Sequence, residues 1–239
     1  MKLDLGRPRE LGEIISGAFE LFFAHSAVFY TATLIVVAPV VILVDGVWGR
    51  QLADGADAKA PVAAQLVSLL LMAFVVPVLV TSLHARAVQG LGEGHEPELG
   101  PLLKAALRLF PAVAGVVVLA SLGVGLASLA LVIPGLYLLV RWYFAAQAAA
   151  IEGRRGPDAL RRSAALVDGQ WWRVAIILLV LVLLTGAITT VLRLVLAAIG
   201  PAVLYVIASV LLQALALSLS ALGGTLLFFD LRARQEVPA

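Results

Sequence analysis

Two arginines, Arg141 and Arg193, lie within long apolar stretches of the sequence. A charged side chain inside a membrane is costly, and it usually faces the interior of a helix bundle or a polar cavity. There, a guanidinium group offers a planar set of hydrogen-bond donors to a phosphate or a carboxylate. Tyr137 and Tyr143 lie close to Arg141 in the sequence. These four residues therefore form a candidate site for a lipid headgroup or another anion.

Arg141 also has two structural interpretations. It is predicted about six residues into a membrane span, or roughly 9 Å along a helix at ~1.5 Å per residue, near the outer leaflet. From that depth its side chain can extend to the interface and bind no ligand. It can also form an ion pair with Asp45, which follows another apolar stretch. Extension to the interface is equally the default interpretation for Arg193.

A basic cluster follows the apolar stretch that contains Arg141. It comprises Arg154, Arg155, Arg161 and Arg162. Basic residues that flank spans are typical of the cytoplasmic side, and they attract anionic headgroups by about 1 kcal/mol each. Both explanations predict a cytoplasmic basic patch, and neither requires a dedicated ligand.

Residues that could support catalysis or bind a metal are few. The segment 93–98 holds three glutamates and one histidine, but the glycines and proline beside them indicate a solvated turn. Cysteine is absent, which excludes disulfides and thiol chemistry. No predicted span has a central acidic residue to relay protons or bind cations. We therefore predict no enzymatic activity, metal or cofactor, and a net charge of +2 argues against nucleic acid.

Composition requires a membrane environment. Of 239 residues, 62% are hydrophobic and 13% are charged, against about 45–50% and about 25% in soluble domains. A helical crossing takes about 20 residues, and backbone groups in lipid must be satisfied within the helix. We predict an all-α integral membrane protein, a six-transmembrane helix bundle in a single polytopic domain over residues 1–239. The predicted spans are 27–47, 62–83, 110–133, 136–151, 174–198 and 202–229.

Basic residues predict the orientation of these spans. The stretch 110–151 would be about 60 Å long as one helix, twice the hydrocarbon thickness, so Pro134-Gly135 is predicted to break it in two. With the N-terminus in the cytoplasm, 13 lysines and arginines fall in inside segments and 2 in outside segments. This asymmetry favours a multi-pass protein with both termini in the cytoplasm.

Three amphipathic stretches, residues 11–22, 102–110 and 157–167, each precede a predicted pair of spans. The second stretch directly follows Gly100-Pro101, and the third begins at the proline of Gly156-Pro157. This pattern predicts three repeats of an interfacial helix followed by a helical hairpin. Chance similarity between membrane sequences of low complexity is the alternative.

Three short motifs resemble a known family. They are Arg7-Pro8-Arg9-Glu10-Leu11-Gly12-Glu13-Ile14, Ile133-Pro134-Gly135-Leu136-Tyr137 with Arg141-Trp142, and Leu227-Phe228-Phe229-Asp230-Leu231-Arg232-Ala233-Arg234. Together they resemble the glycerophosphoryl diester phosphodiesterase membrane-domain family of bacterial proteins. The resemblance implies a membrane module in a bacterial-type cytoplasmic (inner) membrane. The metal-binding phosphodiesterase barrel of some family members has no counterpart in this sequence, so that activity is not expected.

These patterns favour a non-catalytic membrane module that organises membrane lipids by binding their headgroups, or that organises a membrane protein partner. Small-residue faces such as Ser121-x-x-x-Gly125 also suit self-association. The alternative is a transporter or flippase of a lipid or another amphiphile. A polar cavity across the bundle would favour transport, whereas a packed bundle with a lateral groove would favour the module.

Overall fold

Helices make up nearly all of this computed structural model, which describes residues 3–42, 66–67, 69–199 and 202–236. No strand occurs in these ranges, so the predicted all-α class is confirmed for them. A π-helical turn, Leu71–Val75, precedes the third helix. The α-helices are α1 (Leu11–Ala24), α2 (Ser26–Val41), α3 (Val76–Gly92), α4 (Leu99–Ala130), α5 (Val132–Trp142), α6 (Ala145–Glu152), α7 (Pro157–Val167), α8 (Trp171–Ile199) and α9 (Ala202–Glu236).

Four helical segments in the described ranges are long and apolar enough to cross a membrane. They are Leu71–Glu93, Leu99–Ala130, Trp171–Leu192 and Ile207–Glu236. α1 and α2 meet at an angle of 90° and pass the same test only as a pair, which gives at most five. The predicted spans 62–83, 110–133, 174–198 and 202–229 overlap these four, and 27–47 overlaps α2. Positions 43–47, 62–65 and 68 lie outside the described residues.

The predicted span 136–151 is not one helix. α5 has 11 residues and α6 has 8, so neither covers much more than half of the ~30 Å hydrocarbon core at ~1.5 Å per residue. The break before α5 also differs from the predicted Pro134-Gly135. It lies at Leu131, whose backbone is extended at φ −159° and ψ 144°. Pro134 instead falls in the first turn of α5, where its missing N–H breaks no helical hydrogen bond.

Two of the three predicted interfacial helices are separate helices. Residues 11–22 lie within α1, and residues 157–167 form α7. Residues 102–110 do not form a separate helix, because they are the first part of α4, a continuous helix of 32 residues. Pro111 lies inside this helix without ending it. The prediction of an interfacial helix at 102–110 is therefore wrong, and the second unit departs from the proposed repeat.

The core forms where α9 packs against α2 and α3, and where α6 packs against α3 and α4. Phe29, Phe144 and Phe228 are fully buried there. By contrast, the apolar middle of α4 and of α8 is mostly exposed, with 11% and 22% of residues buried. A lipid environment accepts such exposed apolar side chains without cost.

α4 and α5 form a hairpin that packs through two glycines. A Cβ atom at Gly135 would lie 1.9 Å from Ser128 Oγ, and one at Gly123 would lie 2.4 Å from a ring carbon of Trp142. Only a residue without a Cβ atom permits an approach this close between helices. The hairpin tip is apolar and exposed at Leu129, Leu131, Val132 and Ile133.

We expect Gly135→Ala to destabilise the protein. The new methyl group would overlap Ser128, and overpacking costs ~1–3 kcal/mol, more than the ~1 kcal/mol that alanine gains over glycine in a helix. Gly125→Ala is the matched control, since no atom lies within 4 Å of its Cβ position. Thermal unfolding in detergent measures both variants. Equal midpoints for the two would contradict the hairpin packing.

Candidate anion-binding site

A buried carboxylate, Asp230, lies near the C-terminal end of α9. Arg173 Nη1 donates a hydrogen bond to its Oδ2 at 2.6 Å, and Arg234 Nε donates to both carboxylate oxygens at 3.2 Å. The backbone N–H of Arg9 donates to Oδ1 at 2.6 Å. A buried charge is tolerated when it is paired and hydrogen-bonded in this way. We call these four residues the Asp230 cluster.

Three separate segments supply the Asp230 cluster. Arg234 follows Asp230 by one helical turn, so both side chains share a face of α9. Arg173 lies in the first turn of α8, which packs against α9. Arg9 lies just before α1, and its carbonyl oxygen accepts hydrogen bonds from Arg173 Nη2 at 2.6 Å and Arg234 Nη2 at 2.9 Å. The N-terminal segment is thus held between the two guanidinium groups and the carboxylate.

The side chain of Arg9 is also part of this buried network. It is 5% exposed, its Nη2 donates to the Asp4 carbonyl oxygen, and its Nη1 is buried with no partner in the described residues. Burial lowers the pKa of Arg9 from its ordinary value, and the nearby charge of Arg7 lowers this pKa further. Arginine nevertheless stays protonated in proteins, so Arg9 adds a positive charge.

The Asp230 cluster has an excess of positive charge beside an open cleft. Two guanidinium groups, those of Arg173 and Arg234, pair with the one carboxylate, which leaves one positive charge uncompensated. The buried guanidinium of Arg9 instead donates to the Asp4 carbonyl oxygen. The cleft has a volume of about 480 Å³ and is lined by residues 169–173 and Arg234. Arg173 Nε and Arg234 Nη1 make no hydrogen bond within the described part of the chain. The cleft can therefore accept a group with negatively charged oxygens.

Arg141 and Tyr137, both predicted as site residues, lie together near this cleft. Arg141 Nη1 donates to Tyr137 Oη at 2.9 Å and lies 3.7 Å from Asp168 Oδ1. Trp171 stacks on the Tyr137 ring at 5.8 Å and donates from Nε1 to the Tyr137 carbonyl oxygen at 3.2 Å. Arg141 is thus held against the segment 168–171, which continues into the cleft lining.

These contacts correct the predicted location of Arg141. The sequence places Arg141 toward the outer leaflet, roughly 15 Å along the span from residue 151 at ~1.5 Å per residue, and this separation from the following loop does not agree with the contact between Arg141 and Asp168. It was measured along an unbroken span, whereas α7 returns alongside α5 and α6. Ser163 of α7 donates to the Arg141 carbonyl oxygen at 2.8 Å. The ion pair of Arg141 is with Asp168, and the alternative partner Asp45 lies outside the described residues.

Tyr143, the third predicted site residue whose side chain is described, does not join Arg141 and Tyr137. Tyr143 lies against α9 beside Gly224, where a Cβ atom would be 3.0 Å from Tyr143 Oη. The prediction for Arg193 concerns a side chain outside the described part of the structure. The four-residue site predicted from the sequence is therefore not brought together by the side chains that are described.

The predicted basic patch contains one structural arginine and three exposed ones. Arg162 donates from Nε and Nη2 to Glu152 at 2.8–2.9 Å and from Nη1 to Gln235 at 2.9 Å, so it joins α7 to α6 and α9. Arg154, Arg155 and Arg161 are exposed. Arg161 lies 3.5 Å from Asp158 on its own helix.

From the sequence, the arginines of the Asp230 cluster are signals of orientation, and Arg9 and Arg234 are also parts of the family motifs, but none of them is predicted as a site residue. One signal could have revealed them. Asp230 ends a long apolar stretch, where a carboxylate needs a partner, and Arg234 follows one turn later. The other partners could not be found this way, because Arg9 and Arg173 are 221 and 57 residues away.

The fold and the cluster define an all-helical protein with four or five helices of membrane-crossing length in its described ranges. No family model, curated protein or solved structure matches the chain. Membership of the phosphodiesterase membrane-domain family therefore stays a prediction. Among the described residues, no group of three or more histidine, aspartate or glutamate side chains could hold a metal ion.

We expect Asp230→Asn to destabilise the protein strongly, because it leaves the partly buried Arg173 and Arg234 without their counter-charge. Removing one partner of a buried ion pair costs ~3–5 kcal/mol. The loss should be smaller here, about 2–4 kcal/mol, since the Arg173 and Arg234 side chains are each 27% exposed. Thermal unfolding in detergent measures the effect.

Glu236→Gln is the matched control for Asp230→Asn. Glu236 is paired with Arg232 at the exposed end of the same helix, and exposed pairs contribute ~1 kcal/mol or less. The double variant Asp230→Asn with Arg173→Gln should cost less than the sum of the single changes. Additive costs would mean that the two side chains do not depend on each other.

Proposed function

We propose that the protein is a non-catalytic membrane module that binds the phosphate headgroup of an anionic lipid in the cleft beside the Asp230 cluster. The observation that carries this proposal is the uncompensated positive charge at the cleft, where two lining arginines share one carboxylate. Arg173 and Arg234 line the cleft, and the cluster holds them in place before a ligand arrives. Planar guanidinium groups fixed in this way suit phosphate oxygens.

Two tryptophans support a location at the membrane surface. Trp171 and Trp172 line the cleft, and Trp172 is 74% exposed. Tryptophan is enriched where lipid headgroups meet the hydrocarbon core. A cleft at that depth meets lipid phosphates more readily than small anions from the water. Arg9 and Asp230 also belong to the first and last motifs on which the resemblance to a membrane module rests.

Contacts between distant segments support an even number of crossings, because they place four parts of the chain at one end of the bundle. Leu3 N–H donates to the Leu91 carbonyl oxygen, while Arg9 and Arg173 both contact Asp230. We place this end in the cytoplasm of a bacterial-type inner membrane, since it carries the basic segments. The proposed count is six, in three pairs, with α5 and α6 together as one interrupted return passage.

Cysteine labelling tests this arrangement, and the sequence has no cysteine to interfere. An Ile133→Cys variant should react with a membrane-impermeant maleimide from outside, because Ile133 is 81% exposed at the hairpin tip. An Arg155→Cys variant should react only after the cytoplasmic face is opened. Labelling of Ile133→Cys from the cytoplasmic face would reduce the count to four, with α4 and α5 entering and leaving on one side.

Headgroup binding is tested with Arg234→Gln and the matched control Arg232→Gln. Both changes remove one positive charge from the end of α9, but Arg232 pairs with exposed Glu236 and lies outside the cleft lining. We expect Arg234→Gln to weaken binding of phosphatidylglycerol at least tenfold, since a charge-assisted hydrogen bond contributes ~1.5–3 kcal/mol and a tenfold change is ~1.4 kcal/mol. Native mass spectrometry with phosphatidylcholine for comparison measures the effect.

Two outcomes would overturn the proposal. An equal loss in Arg232→Gln would mean that anionic lipids respond to the basic surface as a whole and not to this cleft. Movement of a fluorescent lipid between the leaflets of liposomes that contain the purified protein would favour the alternative, a transporter or flippase of a lipid or other amphiphile.

A further inference from the structure

A second cavity of about 270 Å³ lies inside the bundle, between α3, α4, α6 and α9. We call it the Gln147 cavity. Its polar lining consists of Thr81, Tyr143, Gln147 and Ser220, and the remaining lining residues are apolar. None of the described lining residues is charged. The cavity therefore differs in character from the arginine-lined cleft at the end of the bundle.

The polar side chains of this cavity lack partners within the described part of the chain. Gln147 is 4% exposed, and its Oε1 is buried with no hydrogen bond. Thr81, Tyr143 and Ser220 also make no side-chain hydrogen bond there. Neighbouring hydroxyls on the same helices behave differently. Ser82 donates to the Val78 carbonyl oxygen at 2.7 Å, and Ser218 lies 2.8 Å from Thr33 Oγ1.

Unpaired groups are costly at this depth. α3, α4 and α9 carry three of the segments apolar enough to cross a membrane, and a polar group without a hydrogen bond in such surroundings costs several kcal/mol. Ser82 and Ser218, which lie outside the lining, are satisfied within the protein, whereas the buried Gln147 Oε1 in the lining is not. This distribution indicates that an occupant of the cavity supplies the missing hydrogen bonds.

The backbone beside the cavity leaves room for its polar groups. A Cβ atom at Gly224 would lie 3.0 Å from Tyr143 Oη and 3.5 Å from Gln147 Nε2. Glycine at this position therefore lets both side chains lie close to α9. Together they present a hydroxyl group and an amide that can each donate and accept.

We infer that the Gln147 cavity binds the uncharged, hydroxyl-bearing end of a neutral lipid. The described lining holds no positively charged side chain. It therefore excludes a phosphate, because moving an anion from water into this cavity without a counter-charge is too costly. Three hydroxyl groups and one amide suit a ligand that both donates and accepts hydrogen bonds. The apolar remainder of the lining suits a hydrocarbon chain. This inference stands independently of the proposed headgroup cleft, since the two cavities share no lining residue.

The test measures binding of dioctanoylglycerol to the purified protein by native mass spectrometry. Gln147→Leu and Thr81→Val each remove polar atoms at nearly constant volume, and we expect each to weaken binding at least tenfold. Ser82→Ala is the matched control, because Ser82 is adjacent to Thr81 but bonds its own helix; it should bind as the wild type does. Without ligand, Gln147→Leu should unfold at the same or a higher temperature, since it removes an unpaired buried amide.

Free glycerol tests whether the hydroxyl group must belong to a lipid. Phosphatidic acid with the same acyl chains tests whether the cavity excludes a charged headgroup. Competition by glycerol at equal concentration would overturn the lipid assignment in favour of a water-soluble polyol. Unchanged dioctanoylglycerol binding in both Gln147→Leu and Thr81→Val would mean that the cavity holds water only. If Gln147→Leu does not fold, dioctanoylglycerol binding by Thr81→Val alone tests the inference. Because the two cavities share no described lining residue, loss of dioctanoylglycerol binding in Thr81→Val and loss of phosphatidylglycerol binding in Arg234→Gln are separate results, and failure of one site does not imply failure of the other.

Discussion

The buried carboxylate of Asp230 constrains much of this structure. A carboxylate without partners is too costly in these surroundings, and its partners come from the segment before α1, the start of α8 and the end of α9. Such a network need not stabilise the fold more than apolar packing would, but losing any one partner leaves another charge buried and unpaired. The cluster therefore specifies which segments meet, and it fixes two positive groups, Arg173 and Arg234, at the edge of a cleft.

The short helices around Arg141 follow from a different constraint. Gly123 and Gly135 hold α5 against α4 so closely that the chain turns within one residue at Leu131. α5 then ends after 11 residues. The next turn places Tyr143 and Gln147 against α9, while Arg141 faces Asp168. One interruption of a predicted span thus separates two residues, Arg141 and Tyr143, that the sequence assigns to a single site.

Composition and periodicity were sufficient to predict the helical class and most of the long apolar helices. They also predicted α7 at its observed bounds, because Gly-Pro starts it and its apolar residues recur at helical spacing. They could not predict that residues 102–110 continue into α4, since an amphipathic stretch has the same pattern in either case. The Asp230 cluster and the Gln147 cavity depend on contacts between distant segments, and neither pattern carries that information.

The separation between the two cavities explains their opposite chemistry. Arg234 and Ser220 lie 14 residues apart on α9, which is about 21 Å along a helix at ~1.5 Å per residue. The headgroup layer on each side of a bilayer is only roughly 5–8 Å thick. If Arg234 lies at that layer, Ser220 lies within the hydrocarbon core, where a charged lining would be costly and a neutral hydrogen-bonding lining is tolerated. One headgroup cannot reach both places, so the arginines select for charge at the surface and the Gln147 cavity selects against it inside.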